Sequence, residues 1–355
     1  MFKNLFIEKK VTPKFNPCEI VDKELVYYFS KYINPFDVDT RILDTSTAFN
    51  VESITPPVKN IINLRKINNI KSINKFIETA NKKLPFNGTV IGCVESYNER
   101  RFRINESFPR LISKFIYIND FLVHRVFPKI SITRGIYKYF FNDKNKALSV
   151  TETFGRLFSC GFEVINSTVI NNLLYFICKK VRDPFYDEEP TNGIIYKMKR
   201  IGKDGKIIKV YKIRTMNPYA EYLQNFLFKE HNLKEGGKFK NDFRVTSWGK
   251  FLRKYWLDEI PMIFNFLKGD IKLVGVRPLS KHYYSLYSDS MKELRLKFKP
   301  GLLPPFYADM PKTLDEIMES EKTYLTAYEK NPFRTDFKYF FKIIRNIILR
   351  KARSS

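Results

Sequence analysis

The sequence contains no uncharged run long enough to cross a bilayer as a helix. The longest, Val164 to Cys178, is 15 residues and includes three Asn, short of the roughly 20 apolar residues that a spanning helix needs. The first residues, Met1-Phe-Lys-Asn-Leu-Phe-Ile-Glu8, lack the apolar core of a secretory leader, so no signal peptide is expected. Cysteine is sparse: Cys18, Cys93, Cys160 and Cys178 are far apart and form no C-x-x-C pair. They imply neither a disulfide framework nor a metal motif and read as reduced core residues of a cytosolic environment. His124, His231 and His282 are scattered and are assigned to no metal or acid–base work. Glycine is missing altogether before Gly88, which excludes from that stretch the glycine-rich turn that lets a backbone approach a nucleotide closely. Acids are outnumbered, 37 against 63 Lys and Arg, for a formal charge of +26.

What is present is ample apolar material. At 355 residues, 44% hydrophobic with 33 Phe, the chain can build two domains with separate cores and is not disordered. So large an excess of positive charge calls for an anionic partner: nucleic acid, an anionic membrane surface or a phosphorylated substrate. No recognised groove-reading motif accompanies the charge, so nucleic acid is not expected.

Along the chain, residues 1–60 give little regular signal and read as an N-terminal arm, with a loop at Thr55-Pro-Pro57. From 61 onward Ile62, Ile67, Ile70, Ile73, Phe76, Ile77 and Ala80 recur at three- and four-residue spacing, which predicts an amphipathic helix. Leu84-Pro-Phe-Asn-Gly88 ends it, and Thr89–Val94 reads as a buried strand. Residues 100–141 are basic and aromatic, suited equally to a surface-lying helical insert, a membrane-facing patch or ordinary core. Ser149-Val-Thr-Glu152 has the form of a capping box before a helix closed at Cys160-Gly161. Phe162–Asn166 and Leu173–Cys178 then read as a strand pair. Residues 183–191 form an acidic, proline-bracketed linker between a first domain (61–182) and a second (192–355).

In the second domain, Lys203-Asp204-Gly205 between alternating stretches predicts a β-hairpin carrying Lys197, Lys199, Arg200, Lys209, Lys212 and Arg214. Pro218 to His231 reads as an amphipathic helix, and Lys234–Lys240 as a mobile basic loop. Pro261 disrupts a helix interior but suits a first turn. One helix therefore ends near Trp256 and another begins near Ile260, leaving Asp258 and Glu259 at the break. There the positive end of the second helix, with Arg253 and Arg277 beside it, should keep a carboxylate ionised. An arbitrary Asp-Glu-x-Pro is as well read as a solvated helix cap. Residues 337–351 place Phe337, Phe340, Phe341, Ile344 and Ile348 on one helical face and Lys338, Lys342 and Arg345 on the other, a pattern that fits a membrane interface or a docked helix.

Six motifs occur in one order: Lys199-Arg-Ile-Gly-Lys-Asp-Gly-Lys206, Tyr211-Lys-Ile-Arg-Thr-Met216, Arg244-Val-Thr-Ser-Trp-Gly-Lys-Phe-Leu-Arg253, Leu257-Asp-Glu-Ile-Pro261, Leu267-Lys-Gly-Asp270 and Val274-Gly-Val-Arg-Pro278. From about Asn192 onward this order resembles the bacterial sugar transferases, the monotopic polyprenyl-phosphate phosphoglycosyl transferases. The order of elements over about 60–182 is similar to the C-terminal half of a class I methyltransferase fold without its donor-binding motif. The fold class expected is thus α/β in two domains: a degenerate methyltransferase-like (Rossmann-like) domain and a compact phosphoglycosyl transferase α+β domain with amphipathic helices.

The resemblance implies an Mg²⁺-dependent transfer of a phospho-sugar from a nucleotide diphospho-sugar to a polyprenyl phosphate. It implies Asp258 as nucleophile, Glu259 and Asp258 as Mg²⁺ ligands, and Lys199, Arg200, Arg214, Arg253 and Arg277 as phosphate ligands. It also implies a peripheral position on the cytoplasmic face of a bacterial inner membrane. The positive charge points to an anionic membrane surface as partner. The first domain, in which no methyl transfer is expected, is left with packing, docking to a protein partner or positioning the second domain. Three departures stand out. The long apolar helix that usually precedes the Ile194 strand is replaced, the usual Gly-Pro-Arg-Pro reads Gly275-Val-Arg-Pro278, and Leu302-Leu-Pro-Pro-Phe306 follows Lys299-Pro-Gly301. The alternative expectation is a catalytically silent relative acting as an interaction or regulatory module.

Overall fold

A computed structural model describes residues 22–55, 57–186, 193–223 and 243–349. Cys18, most of the acidic linker, the larger part of the 218–231 segment, the 234–240 loop and residues 350–351 lie outside the described residues. The chain divides into two units, residues up to 186 and residues from 187 onward, except that 129–134 and 150–155 belong to the second.

The first unit is built on a five-stranded mixed sheet in the order β1-β2-β3-β5-β4. Its strands are β1 (Thr40–Leu43), β2 (Asn60–Asn63), β3 (Thr89–Val94), β4 (Phe162–Ile170) and β5 (Leu173–Lys180). The first three are parallel, while β5 runs antiparallel to both β3 and β4. Helices α1 (Lys23–Ser30), α2 (Ala48–Glu52) and α3 (Ile73–Lys83) intervene, and α4 (Tyr97–Ser107), α5 (Arg110–Phe121) and α6 (Ser131–Phe141) form the insert between β3 and α7 (Val150–Ser159). Leu25, Tyr28 and Phe29 of α1 pack with Ile62, Ile91, Tyr175 and Ile177 of the sheet. Cys93, Cys160 and Cys178 are free and buried.

Two expectations are corrected in this unit. Residues 22–60, expected as part of an arm of uncertain structure, supply α1, β1, α2 and the start of β2. The predicted helix from 61 is shorter, because Ile61 and Ile62 sit in β2 and only Ile73–Lys83 is α-helical. Strands β1 and β2 are each 4 residues long. Ile61 and Ile62 are successive and both fully buried, and a strand covered on both faces shows no alternation to read.

The second unit opens with the hairpin β6 (Ile195–Ile201) and β7 (Ile207–Ile213), in the register Tyr196↔Lys212 and Met198↔Val210. Asp204 and Gly205 take left-handed conformations at its turn, the backbone that an Asp-Gly step favours. Next come α8 (Ser247–Lys254) and α9 (Met262–Leu267), then β8 (Lys272–Val274), paired in parallel with β9 (Gly301–Leu303). Between these strands lie α10 (Lys281–Ser285) and α11 (Asp289–Leu296); α12 (Phe306–Asp309), α13 (Leu314–Lys330) and α14 (Pro332–Leu349) follow. Val274, Val276, Tyr307, Tyr324, Leu325, Tyr339 and Ile343 form the main core, and Val210, Met262 and Ile271 a smaller one beneath the hairpin.

Candidate active site

The end of β7 clamps the start of α8. Thr246 caps that helix through Oγ1, which accepts from Gly249 N at 3.0 Å, and the same hydroxyl donates to Thr215 O at 2.9 Å. A Cβ at Gly249 would lie 2.1 Å from Thr215 O, so only glycine allows the approach. Beyond Thr246-Ser-Trp-Gly249, which closes this contact, the same helix face returns, and Arg253 Nε donates to Thr215 Oγ1 at 2.9 Å.

The helix stops at Lys254, and Trp256 takes a left-handed conformation at φ 55°, a backbone costing roughly 1–2 kcal/mol for an L-residue. Its indole offsets the cost: Nε1 donates to Tyr307 OH at 3.1 Å, and the ring meets the Tyr307 ring edge-on. The reversal throws Leu257–Glu259 into a single 3-10 turn, after which Pro261 caps α9. The dyad therefore lies at a helix break, as the proline spacing predicts.

Asn265 fixes α9 against the hairpin. This fully buried side chain accepts from Tyr211 N at 3.0 Å and donates to Lys209 O at 2.8 Å and Asp270 Oδ2 at 3.1 Å. Those bonds hold the dyad over β7, where Lys212 Nζ meets Glu259 Oε1 at 2.6 Å. Replacing Asn265 with Leu leaves a strand amide and a carbonyl without partners, so we expect a loss of about 3 kcal/mol in urea unfolding. An unchanged midpoint would show that Asn265 does not hold the two elements together.

Asp258 is 5% exposed, and its Oδ1 is buried without a hydrogen-bond partner. Burial pushes its carboxyl above the usual carboxylate range; Lys212 and Arg253 work against that shift and Glu259 works with it. The direction is opposite to the expectation from a helix N-terminus. The physical reason is that α9 has only 6 residues and begins beyond the dyad, so desolvation outweighs any dipole.

The other predicted residues divide into groups. Arg253 acts on Asp258, whereas Arg277 does not appear among the charges that shift it. Instead Arg277 is exposed and acts on Arg200, whose guanidinium is lowered by burial first and by Arg277 second. Arg295 holds that loop: Nη2 donates to Arg277 O at 2.6 Å, while Nη1 is paired with buried Glu321. Two cations whose charges act on one another suit a shared anion. Arg214 is buried at the foot of the hairpin, its Nε on Gly193 O at 2.9 Å and its guanidinium over the Tyr196 ring. The acidic side chains acting on it are Glu221 and Glu152. Lys199 is exposed on the hairpin face opposite Arg200.

Lys212 and Asn265 are the residues that sequence reasoning passed over as site members. A signal existed for Lys212: it shares a strand face with Val210, and Val210 packs against Met262 of α9.

The site is thus a buried carboxylate with an unsatisfied oxygen, two cations acting on it and a second acid beside it. A family model described as "Bacterial sugar transferase" matches residues 154–350, and the chain belongs to that family. The match begins well before the 192 expected from the motifs. The chain is similar to the galactosyl transferase CpsE of Streptococcus agalactiae serotype III, 32% identical over 204 residues, covering 56% of this chain and 41% of that protein. It is 39% identical over 113 residues to an undecaprenyl-phosphate galactose phosphotransferase of Salmonella typhimurium, 30% of this chain and 24% of that one. It is 42% identical over 113 residues to a UDP-glucose:undecaprenyl-phosphate glucose-1-phosphate transferase of Klebsiella pneumoniae, 31% of this chain and 22% of that one. The matches thus span less than half the length of each of these relatives.

Proposed function

We propose that this protein transfers a phospho-sugar from a nucleotide diphospho-sugar to a polyprenyl phosphate, initiating the synthesis of a cell-surface polysaccharide or glycoconjugate. The observation that carries the reading is Asp258 Oδ1, buried and without a partner beside Lys212 and Arg253. A buried oxygen left unsatisfied costs stability unless a ligand uses it. In this reading Asp258 attacks the sugar-bearing phosphorus, forming a P–O bond to the carboxylate as the bond to the departing nucleoside monophosphate breaks. The polyprenyl phosphate oxygen then attacks the same phosphorus and frees the carboxylate. Splitting one displacement into two is the usual gain of a covalent intermediate, and positioning and charge do most of the work in phosphoryl transfer. Arg253 faces the dyad, and the Arg200–Arg277 pair offers a place for the donor's diphosphate.

A divalent cation fits the residues present. Among the described residues no group of three or more His, Cys, Asp or Glu is placed to hold a metal. A cation here would take Asp258 and Glu259 and complete its shell with phosphate and water, as Mg²⁺ prefers. Bound there, Mg²⁺ would neutralise phosphate charge.

A lipid acceptor requires contact with a bilayer, and no helix among the described residues is long and apolar enough to cross one. We assign that contact in this unit to α14, on the cytoplasmic face of the inner membrane. The helix has three faces rather than the two expected. Thr335, Tyr339, Ile343 and Asn346 are buried, Phe333, Phe337, Phe341 and Ile348 are exposed, and Lys338, Lys342 and Arg345 lie between. Phe340 and Ile344 are half-buried. Leu273, Phe333, Phe337, Phe340 and Phe341 line an apolar groove of about 450 Å³ with Asp336 and Tyr328. The helix is therefore docked by one face and keeps an apolar face for a membrane interface.

The first unit we read as a methyltransferase-like fold without a donor site. Support comes from the reversed β5 between β3 and β4 and the absence of glycine before Gly88. Calorimetric binding of S-adenosylmethionine would overturn that reading.

The test of the activity is release of nucleoside monophosphate from a panel of sugar nucleotides, with and without polyprenyl phosphate and Mg²⁺. We expect release with at least one donor and lipid-dependent turnover. No release from any donor would leave the silent interaction module.

A further inference from the structure

The first unit carries an unpartnered surface that the reaction does not use. On α5, Leu111, Phe115 and Ile118 fall at i, i+4 and i+7, one stripe of the helix that Leu122 continues in the turn just beyond it. The first three are 81%, 70% and 57% exposed. Neighbouring Phe108 and Ile112 are exposed as well. An apolar stripe of this kind, left exposed among the described residues, marks an interaction surface.

Beside the stripe, α4 and α5 enclose a cavity of about 520 Å³ lined by Arg101, Asn105, Arg110, Ser113, Lys114 and Tyr117. Its three cations are exposed, and Arg101 lies over the Tyr117 ring at 5.5 Å. No acid lines it. Asp120, on the same helix, is engaged by Arg100 at 2.6 and 2.7 Å. Residues 100–141 hold nine Lys and Arg against Glu106 and Asp120.

We propose that the α4–α5 hairpin is an anionic-membrane docking surface: the Leu111–Phe115–Ile118 stripe enters the interfacial layer, and Arg101, Arg110 and Lys114 take a lipid headgroup phosphate. The charge pattern selects a bilayer over a protein. An apolar stripe flanked by cations that outnumber the acids of the same helix pair is the composition of a surface lying in a headgroup layer. This surface is separate from α14 and does not depend on the chemistry of Asp258.

The full chain is tested by co-sedimentation with vesicles of phosphatidylcholine alone and of equimolar phosphatidylcholine and phosphatidylglycerol. The wild type binds the mixed vesicles more tightly, and added salt weakens the preference. Leu111→Glu with Phe115→Glu lowers affinity for the mixed vesicles about tenfold or more. Arg101→Gln, Arg110→Gln and Lys114→Gln together remove the anionic preference, at about fivefold per cation. The Leu111→Trp variant, which adds no charge, gains an indole on the stripe whose emission shifts to the blue when mixed vesicles are added, so the question stays answerable if the charged pair does not fold. Phe337→Glu with Phe341→Glu on α14 serves as comparator. Four results would each overturn the proposal: equal binding to both vesicle types, wild-type binding by the α5 variant while the α14 variant loses it, an unshifted emission from the indole added by Leu111→Trp, or a wild-type oligomer that the α5 variant dissolves without change in vesicle binding. The last would make the stripe a contact between copies.

Discussion

Asp258→Asn is expected to release nucleoside monophosphate at least about 10³-fold more slowly than the wild type while unfolding at a temperature no lower, and at neutral pH higher. The two halves come from one feature. An amide keeps the shape of the carboxyl group but cannot attack phosphorus, so the covalent step is lost. The stability gain comes from burial, the main cause of the upward shift at Asp258. A group whose folded pKa lies above its unfolded value binds more protons in the native state between the two. Stability therefore falls as pH rises through the unfolded value towards the folded one, and above that the penalty is constant. Asn carries no such penalty, so the variants should match in acid and diverge as pH rises, read by thermal unfolding across pH. Wild-type turnover in the variant would remove Asp258 as nucleophile. A lower melting temperature at neutral pH would mean that the carboxylate is already satisfied.

That the catalytic candidate destabilises its own fold accounts for the anchoring around it. Trp256 holds a left-handed backbone against Tyr307, Gly249 admits Thr215 at a distance no side chain would allow, and Asn265 ties α9 to β7. A strained, desolvated site persists only when its surroundings over-determine it.

Much of this site can be read in the sequence, because it rests on local signals. The Asp-Gly turn of the hairpin and the Pro261 break act over a few residues, and the structure puts both where local chemistry does. What the sequence hides is pairing at a distance. Nothing in Lys212 or Glu259 alone says that they meet; that follows from Asn265 choosing which strand of the hairpin α9 sits against. Likewise nothing local says that Arg277, whose carbonyl is held by Arg295 eighteen residues on, acts on Arg200 and is not among the charges that shift Asp258. In the first unit, β1 and β2 escape for a related reason. Strand β2 is buried on both faces and shows no alternation, β1 is a four-residue edge strand too short to show a period, and the partners of both lie elsewhere in the chain.

Lys212→Met should cost roughly 3 kcal/mol of stability at neutral pH, the order expected when one partner of a mostly buried ion pair is removed. The Lys212–Glu259 contact is 2.6 Å long, with the two side chains 15% and 13% exposed. Without the ammonium, Arg253 is the remaining cation among the side chains that act on Asp258, and Glu259 still opposes its charge. Lys212 is the larger of the two cations that restrain the Asp258 shift, so its loss drives that carboxyl further up. Two pH effects follow, with signs fixed by the same linkage. On the proposed mechanism the acid limb of the kcat profile moves to higher pH, because Asp258 must be ionised to attack. The stability deficit is small in acid, where the carboxyls are protonated, and grows as pH rises. Lys212→Arg should keep most of the stability, since a cation remains against Glu259. Lys212→Met combined with Glu259→Gln should recover stability, having no stranded charge, but not turnover. A deficit independent of pH would assign Lys212 to packing alone, and an unmoved acid limb would mean that its charge does not reach Asp258.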